Sequence, residues 1–210
     1  MKTCKYRIKK ITGQIKTILQ TIKHRGGLIR MAEALEMGIS RYTLYSLLNK
    51  GKLEQISRGV FRLAELPPIT EPDLVTISLR SPQSVICLIS ALAFHNITTV
   101  IPHKVSIAIS RGTQTPKIDS LPLAVHRFSK TAFESGIEEH HIDGVSVRVY
   151  CPEKTLADCF KFRNKIGMNT VLESLKLYKE HAHFKIDDLF KYARICRVDK
   201  VMQPYLEALI

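Results

Sequence analysis

The sequence predicts an α+β protein: an N-terminal winged helix-turn-helix, followed by a C-terminal domain with a small, mostly antiparallel sheet and flanking helices. Three observations carry this. Three short segments with helical apolar spacing precede residue 51, and each is closed by glycine. Two short strand-like runs with a glycine turn between them follow directly. Beyond Pro67-Pro68 and Pro72, helical and alternating segments mix along the rest of the chain. The prolines place the boundary between a first module at 1–66 and an α+β domain at 71–210.

The first helix rests on Ile11, Ile15, Ile18, Leu19 and Ile22 and stops at Gly26-Gly27. The basic stretch Lys2 to Lys10 frays or extends it. Ile29 to Met37 reads as a second helix, with Ala32, Leu35 and Met37 apolar and Gly38 as its end. Ser40 is an N-cap for a third helix, Arg41 to Lys50, closed by Gly51. Leu53 to Ile56 and Val60 to Leu63 read as strands around Ser57-Arg58-Gly59.

In the second domain, Asp73 to Arg80 and Gln83 to His95 read as helices, with Ser81-Pro82 as the N-cap and first position of the latter. Lys104 to Ser110 and Leu123 to Phe128 alternate as strands. Ile137 to Ile142 and Val145 to Tyr150 flank Asp143-Gly144, a hairpin signal. Helices are expected over Glu153 to Phe162, Met168 to Glu180, Ile186 to Ile195 and Val198 to Leu209.

Charge divides as the elements do. From Met1 to Arg62 there are 14 Lys and Arg against three acids, Glu33, Glu36 and Glu54; the remainder holds 18 against 16. So +11 of the net +13 sits in the first module, the electrostatic footprint of a nucleic-acid partner. A membrane surface would attract the same charge, so charge alone does not choose. The longest apolar run, Val85 to Phe94, is half of what a bilayer span needs, and no signal-peptide pattern opens the chain. No membrane anchor and a cytoplasmic location are expected. Five cysteines, an odd number without a CxxC, suit a reducing compartment.

The third helix carries the chemistry. Leu44, Leu47 and Leu48 share one face and pack inward. Tyr42, Ser46 and Asn49 point the opposite way, with Thr43 and Lys50 beside them. An ordinary solvated face mixes Glu with Lys; this one offers hydrogen-bonding groups and no acid, as base-edge reading in the major groove requires. Arg58 at the hairpin tip and Arg62 near its base suit phosphate or minor-groove contact, and Arg25 and Arg30 flank the entry to the second helix. The DNA-binding set is therefore Arg25, Arg30, Ser40, Arg41, Tyr42, Thr43, Ser46, Asn49, Lys50, Arg58 and Arg62.

The run Gly26 to Glu65 resembles the winged helix-turn-helix of the AbiEi antitoxin family. The matching positions are Ser40, Arg41, Thr43, Leu44, Leu47, Gly51, Leu53, Ile56, Arg58, Gly59, Val60 and Phe61. The helical segment around Ala91-Leu92 and the block CPEKTLAD, Cys151 to Asp158, are similar to the family's second domain, so the resemblance runs to about Gly167. It implies an antitoxin of a type IV toxin–antitoxin, abortive-infection system, which represses its own operon and neutralises a nucleotidyltransferase-like toxin. It also implies operator DNA as a partner, with inverted repeats and a homodimer or cooperative binding.

Other chemistry is weak. His140-His141 and His181/His183, with Cys151, Cys159 or Cys196, have no structural-zinc spacing, so no metal or cofactor is expected. Glu153 and Asp158 are five apart on a helix and turn away from each other, so a nuclease carboxylate pair is disfavoured. Glu153 instead complements the helix dipole and Asp158 bonds within the domain. No nucleophile elbow, P-loop or GxGxxG occurs, and no enzymatic activity is expected. The rival readings are a ligand-sensing repressor and a DNA-processing enzyme targeted by its first module.

Overall fold

The computed structural model describes residues 15–118, 121–180 and 184–208. The readings of Lys2 to Lys10, Ile11, Cys4, His181, His183 and the terminal Leu209 lie outside these residues. The chain divides into two compact units, Met1–Pro72 with Ile142–Val145, and Asp73–His141 with Ser146–Ile210.

The first unit opens with α1 over residues 15–24. Strand β1 (Leu28–Arg30) leads directly into α2 (Met31–Glu36) and then α3 (Arg41–Asn49). Strands β2 (Leu53–Ser57) and β3 (Val60–Leu63) complete an antiparallel sheet of order β1-β3-β2. β1 corrects the expected helix from Ile29: Leu28, Ile29 and Arg30 pair with Arg62, Phe61 and Val60. A three-residue strand is too short to show a period, and its pairing partners lie 30 to 34 residues away. Ile22, Ile29, Ala34, Leu44, Leu47, Leu53, Phe61 and Leu63 form the core.

The second unit holds a five-stranded sheet of order β6-β5-β4-β8-β7. Its strands are β4 (Val85–Ile86), β5 (Val105–Ser110), β6 (Leu123–Phe128), β7 (Ile137–Ile142) and β8 (Val145–Tyr150). The sheet is mixed. β4 runs antiparallel to β5 but parallel to β8, and β5 runs parallel to β6. This corrects the mostly antiparallel expectation: β4 supplies one parallel pairing and the β5–β6 pair the other. Val85 and Ile86 lie in the apolar run expected to be helical from Gln83, yet they form the central strand. Helix α5 (Leu88–Phe94) starts only after Cys87, and Ser81-Pro82 forms a loop rather than a helix start. Leu88 takes a left-handed backbone at φ 49° where strand turns into helix.

The remaining helices are α4 (Pro72–Arg80), α6 (Lys130–Glu134), α7 (Pro152–Lys161), α8 (Arg163–Ile166), α9 (Met168–Lys179), α10 (Ile186–Cys196) and α11 (Asp199–Glu207). Helix α7 is the axis of this unit: α5, α9, α10 and α11 all pack on it. Every residue from Glu153 to Phe160 is buried. Pro152 occupies its first turn, where the missing N–H costs nothing.

The polar residues of α7 are satisfied in place. Lys154, fully buried, lies 2.5 Å from Asp158 Oδ2 one turn on, and its ammonium sits 4.2 Å from the Tyr150 ring centroid. Cys196 Sγ donates to Asp158 Oδ1 at 3.1 Å. Burial pushes the Asp158 carboxyl above the usual carboxylate range, and the Lys154 charge opposes that shift. Tyr178 donates its hydroxyl to Glu153 Oε1, and Thr155 Oγ1 donates to the Tyr150 carbonyl at 3.1 Å. Gly136 lets β7 approach: at φ 72° it accepts from Cys151 N, and a Cβ there would stand 2.7 Å from that of Lys154.

Removing one partner of a buried pair strands the other. Asp158→Ala should therefore destabilise the second unit by about 3–5 kcal/mol, and Lys154→Met with Asp158→Leu should recover most of that loss. Urea unfolding followed by circular dichroism checks both; equal losses would show that the pair is not what stabilises α7.

His95 supplies a pH test. Its Nε2–H donates to the Tyr150 carbonyl at 2.7 Å, and burial holds the ring below the ordinary histidine value, against the pull of Glu138 and Glu153. A depressed folded value means stability present above the unfolded pKa of about 6.5 and lost as pH falls through the folded one. Unfolding free energy should fall as pH drops below about 6.5, and His95→Gln should flatten that fall.

Candidate nucleic-acid interface

Helix α3 is shaped at its start by Ser40, whose Oγ accepts from Thr43 N at 3.1 Å and lies 2.9 Å from Thr43 Oγ1. These two hydroxyls are thus part of the cap. Leu44 and Leu47 anchor the buried side. Tyr45 stacks edge-on to Phe61 of β3, centroids 5.8 Å apart, which fixes α3 against the sheet.

The opposite side is open. Tyr42 is 85% exposed, Asn49, Lys50 and Arg41 are exposed, and Ser46 is half-buried. No acid occurs between Arg41 and Lys52. Tyr45, 46% exposed on the edge of this face, and the exposed Lys52 join it. Sequence reasoning passed over both. The position of Tyr45, 60° from Tyr42 on the helical wheel, could have flagged it.

The hairpin turn is Arg58-Gly59. Gly59 at φ 77° closes it, a bulge lies between Gln55 and Ser57, and the Gly59 carbonyl accepts from Met31 N at 2.8 Å. That bond brings the exposed Arg58 turn to the start of α2, beside the exposed Arg30. Arg25 is exposed too, but its Nη1 lies 3.3 Å from Met37 Sδ, in a hollow also lined by Glu33 and Glu36.

Arg62 stands apart. It is 3% exposed, with Nη1 2.6 Å from Glu54 Oε1 and Nη2 donating to the Pro67 carbonyl. Glu54 and Arg62 face each other across β2 and β3. Counting outward from the turn would set Arg62 opposite Gln55; the bulge between Gln55 and Ser57 shifts the register by one and brings Glu54 there instead. Arg62 is a strut of the sheet, not an open contact, and it leaves the interface.

Its acid partner matters as much. Glu54 is taken by Arg62 and Glu65 by Lys23 at 3.0 Å. Among the described residues, Arg30, Arg41, Lys50, Lys52 and Arg58 form no ion pair. The face of α3 and the hairpin turn thus carry uncompensated positive charge around hydrogen-bonding groups.

The other candidate chemistry lies in the second unit. Glu153 and Asp158 are buried in separate bonds of α7 and share no open surface. Burial holds the thiols of Cys87 and Cys159 well above the ordinary value and pushes those of Cys151 and Cys196 up to about 12. His140 contacts Glu138 at 3.3 Å and the Phe94 ring. Among the described residues no three His, Cys, Asp or Glu side chains are placed to hold one metal ion. No helix there is long and apolar enough to cross a membrane.

Residues 16–64 match the family model described as transcriptional regulator, AbiEi antitoxin. The match covers the helices and sheet of the first unit and ends before the second. None of the curated proteins matches the sequence. The fold is similar to that in the crystal structure of the RV2827C protein from Mycobacterium tuberculosis. The TM-score is 0.51 at 14% identity, over 90% of this chain and 79% of that one.

The two arginines of the hairpin should separate in stability. Arg62→Ala leaves Glu54 and the Pro67 carbonyl without their donor and should cost about 1–3 kcal/mol, whereas Arg58→Ala should leave the melting temperature unchanged. Thermal unfolding of the two variants checks this.

Proposed function

We propose that this chain, with its AbiEi antitoxin match over residues 16–64, is a DNA-binding transcriptional repressor and antitoxin. Its first unit works as a winged helix-turn-helix. Helix α3 enters the major groove, and the β2–β3 hairpin is the wing. The observation that carries this is the acid-free outer face of α3 beside five unpaired cations. A merely solvated face has no reason to exclude acids, whereas a face that meets phosphates and base edges does.

Roles divide by geometry. Tyr42, Ser46 and Asn49, with Thr43, face the base edges. Arg41, Lys50 and Lys52 meet the phosphates along the groove, and Arg58 contacts phosphate or minor groove from the wing. Arg30 lies beside the wing turn and Arg25 is peripheral. Ser40 orders the helix start. The operator is double-stranded DNA upstream of the chain's own gene, with paired half-sites bound by a dimer or cooperatively. The second unit neutralises a nucleotidyltransferase-like toxin encoded alongside; the resemblance in sequence supports that half of the reading.

Affinity for the upstream duplex should fall steeply with salt. Neutralising about 4–6 phosphates gives a slope of log K on log salt of roughly −4 to −5. A flat salt dependence in anisotropy titrations would overturn DNA binding. Full-length Arg58→Glu should lose repression and still rescue cells from the induced toxin; loss of rescue would place neutralisation in repression itself.

A further inference from the structure

We infer that α3 reads A·T base pairs, so that each operator half-site carries an A·T-rich core beneath Tyr42, Tyr45 and Asn49. This rests on the DNA-binding reading above and specifies its target.

The argument is one of donor and acceptor inventory. In the major groove, guanine is recognised by a forked or ammonium donor, from Arg or Lys, to O6 and N7. Cytosine needs a carboxylate to accept from its N4. Adenine is matched by the amide of Asn or Gln, which both donates and accepts. Thymine presents a methyl group to apolar atoms. Between Tyr42 and Asn49 the exposed side of α3 holds no Arg, Lys, Asp or Glu. It holds one exposed amide, Asn49, and two exposed rings, Tyr42 at 85% and Tyr45 at 46%. Those are the groups suited to adenine and to the thymine methyl.

The cations sit at the margins of that face. On the helical wheel Arg41 lies about 100° to one side of Tyr42 and Lys50 about 80° to the other. They flank the Tyr42–Ser46–Asn49 stripe and face opposite walls of the groove, where the phosphates are. From Tyr42 to Asn49 the helix rises about 10 Å, which matches about three base pairs of duplex. The wing adds to the same preference. Arg58 stands exposed at a turn held by the Gly59–Met31 bond, and the minor groove of A·T-rich DNA is narrow and attracts such a guanidinium.

The test is selection of duplexes from a random library by the full-length protein, followed by titration with base analogues. Retained sequences should share an A·T core of about three base pairs per half-site. Replacing the adenine read by Asn49 with 7-deazaadenine removes the N7 acceptor. It should weaken wild type roughly tenfold and leave Asn49→Ala unaffected. Replacing thymine with uracil should weaken wild type and change Tyr42→Ala less. A retained G·C core, or indifference to both analogues, would overturn the assignment while leaving DNA binding standing. Failure to retain any duplex would overturn the DNA-binding reading along with it.

Discussion

The buried Lys154–Asp158 pair is the constraint around which the second unit is arranged. A helix enclosed on all sides has nowhere to put charge, because an unpaired ion in the interior costs several kcal/mol. Spacing the two residues by one helical turn lets α7 carry both charges and neutralise them internally. The pair is then enclosed by groups from other elements: the Tyr150 and Phe128 rings against the ammonium, and Cys196 of α10 on the carboxylate. Glu153 depends on Tyr178 of α9 in the same way. Each of these bonds recruits a different element, so the polar residues of α7 dictate which helices must surround it and in what register.

This changes the meaning of the most distinctive sequence block in the chain. Pro-Glu-Lys-Thr-Leu-Ala-Asp has the residue types of an active site but none of the access. Its proline starts the helix, its Thr155 hydroxyl satisfies the end of β8, its Leu156 and Ala157 fill the core, its Lys154 pairs with Asp158, and its Glu153 accepts from the Tyr178 hydroxyl. The thiols nearby are held protonated by the same burial. The motif describes how the unit is built.

The first unit solves the opposite problem. It must present charge rather than hide it, and it does so by sorting its ions. Glu54 and Glu65 are spent on Arg62 and Lys23. The cations around α3 and the hairpin turn are left without partners. The same sheet that buries Arg62 holds Arg58 at its turn, and the Tyr45–Phe61 contact ties α3 to that sheet. The excess of cations gives the surface its sign, and the two ion pairs lie away from the outer face of α3 and the hairpin turn.

Local rules in the sequence determined much of this. The Ser40 cap, the leucine stripe of α3, the glycine turns at Gly59 and Asp143-Gly144 and the later helices each depend on residues a few positions apart, and each is legible without a fold. So is the unequal division of charge between the two parts. Only tertiary structure decided the rest. Strands β1 and β4, three and two residues long, carry no period of their own and become strands because distant partners supply their hydrogen bonds. One parallel pairing, β4–β8, follows from β4, and the other, β5–β6, joins two neighbouring strands through the connection between them. The fates of Arg58 and Arg62, four residues apart, diverge because one lies at a turn and the other opposite Glu54. Burial and pairing are set by neighbours remote in sequence, and a one-dimensional pattern does not contain them.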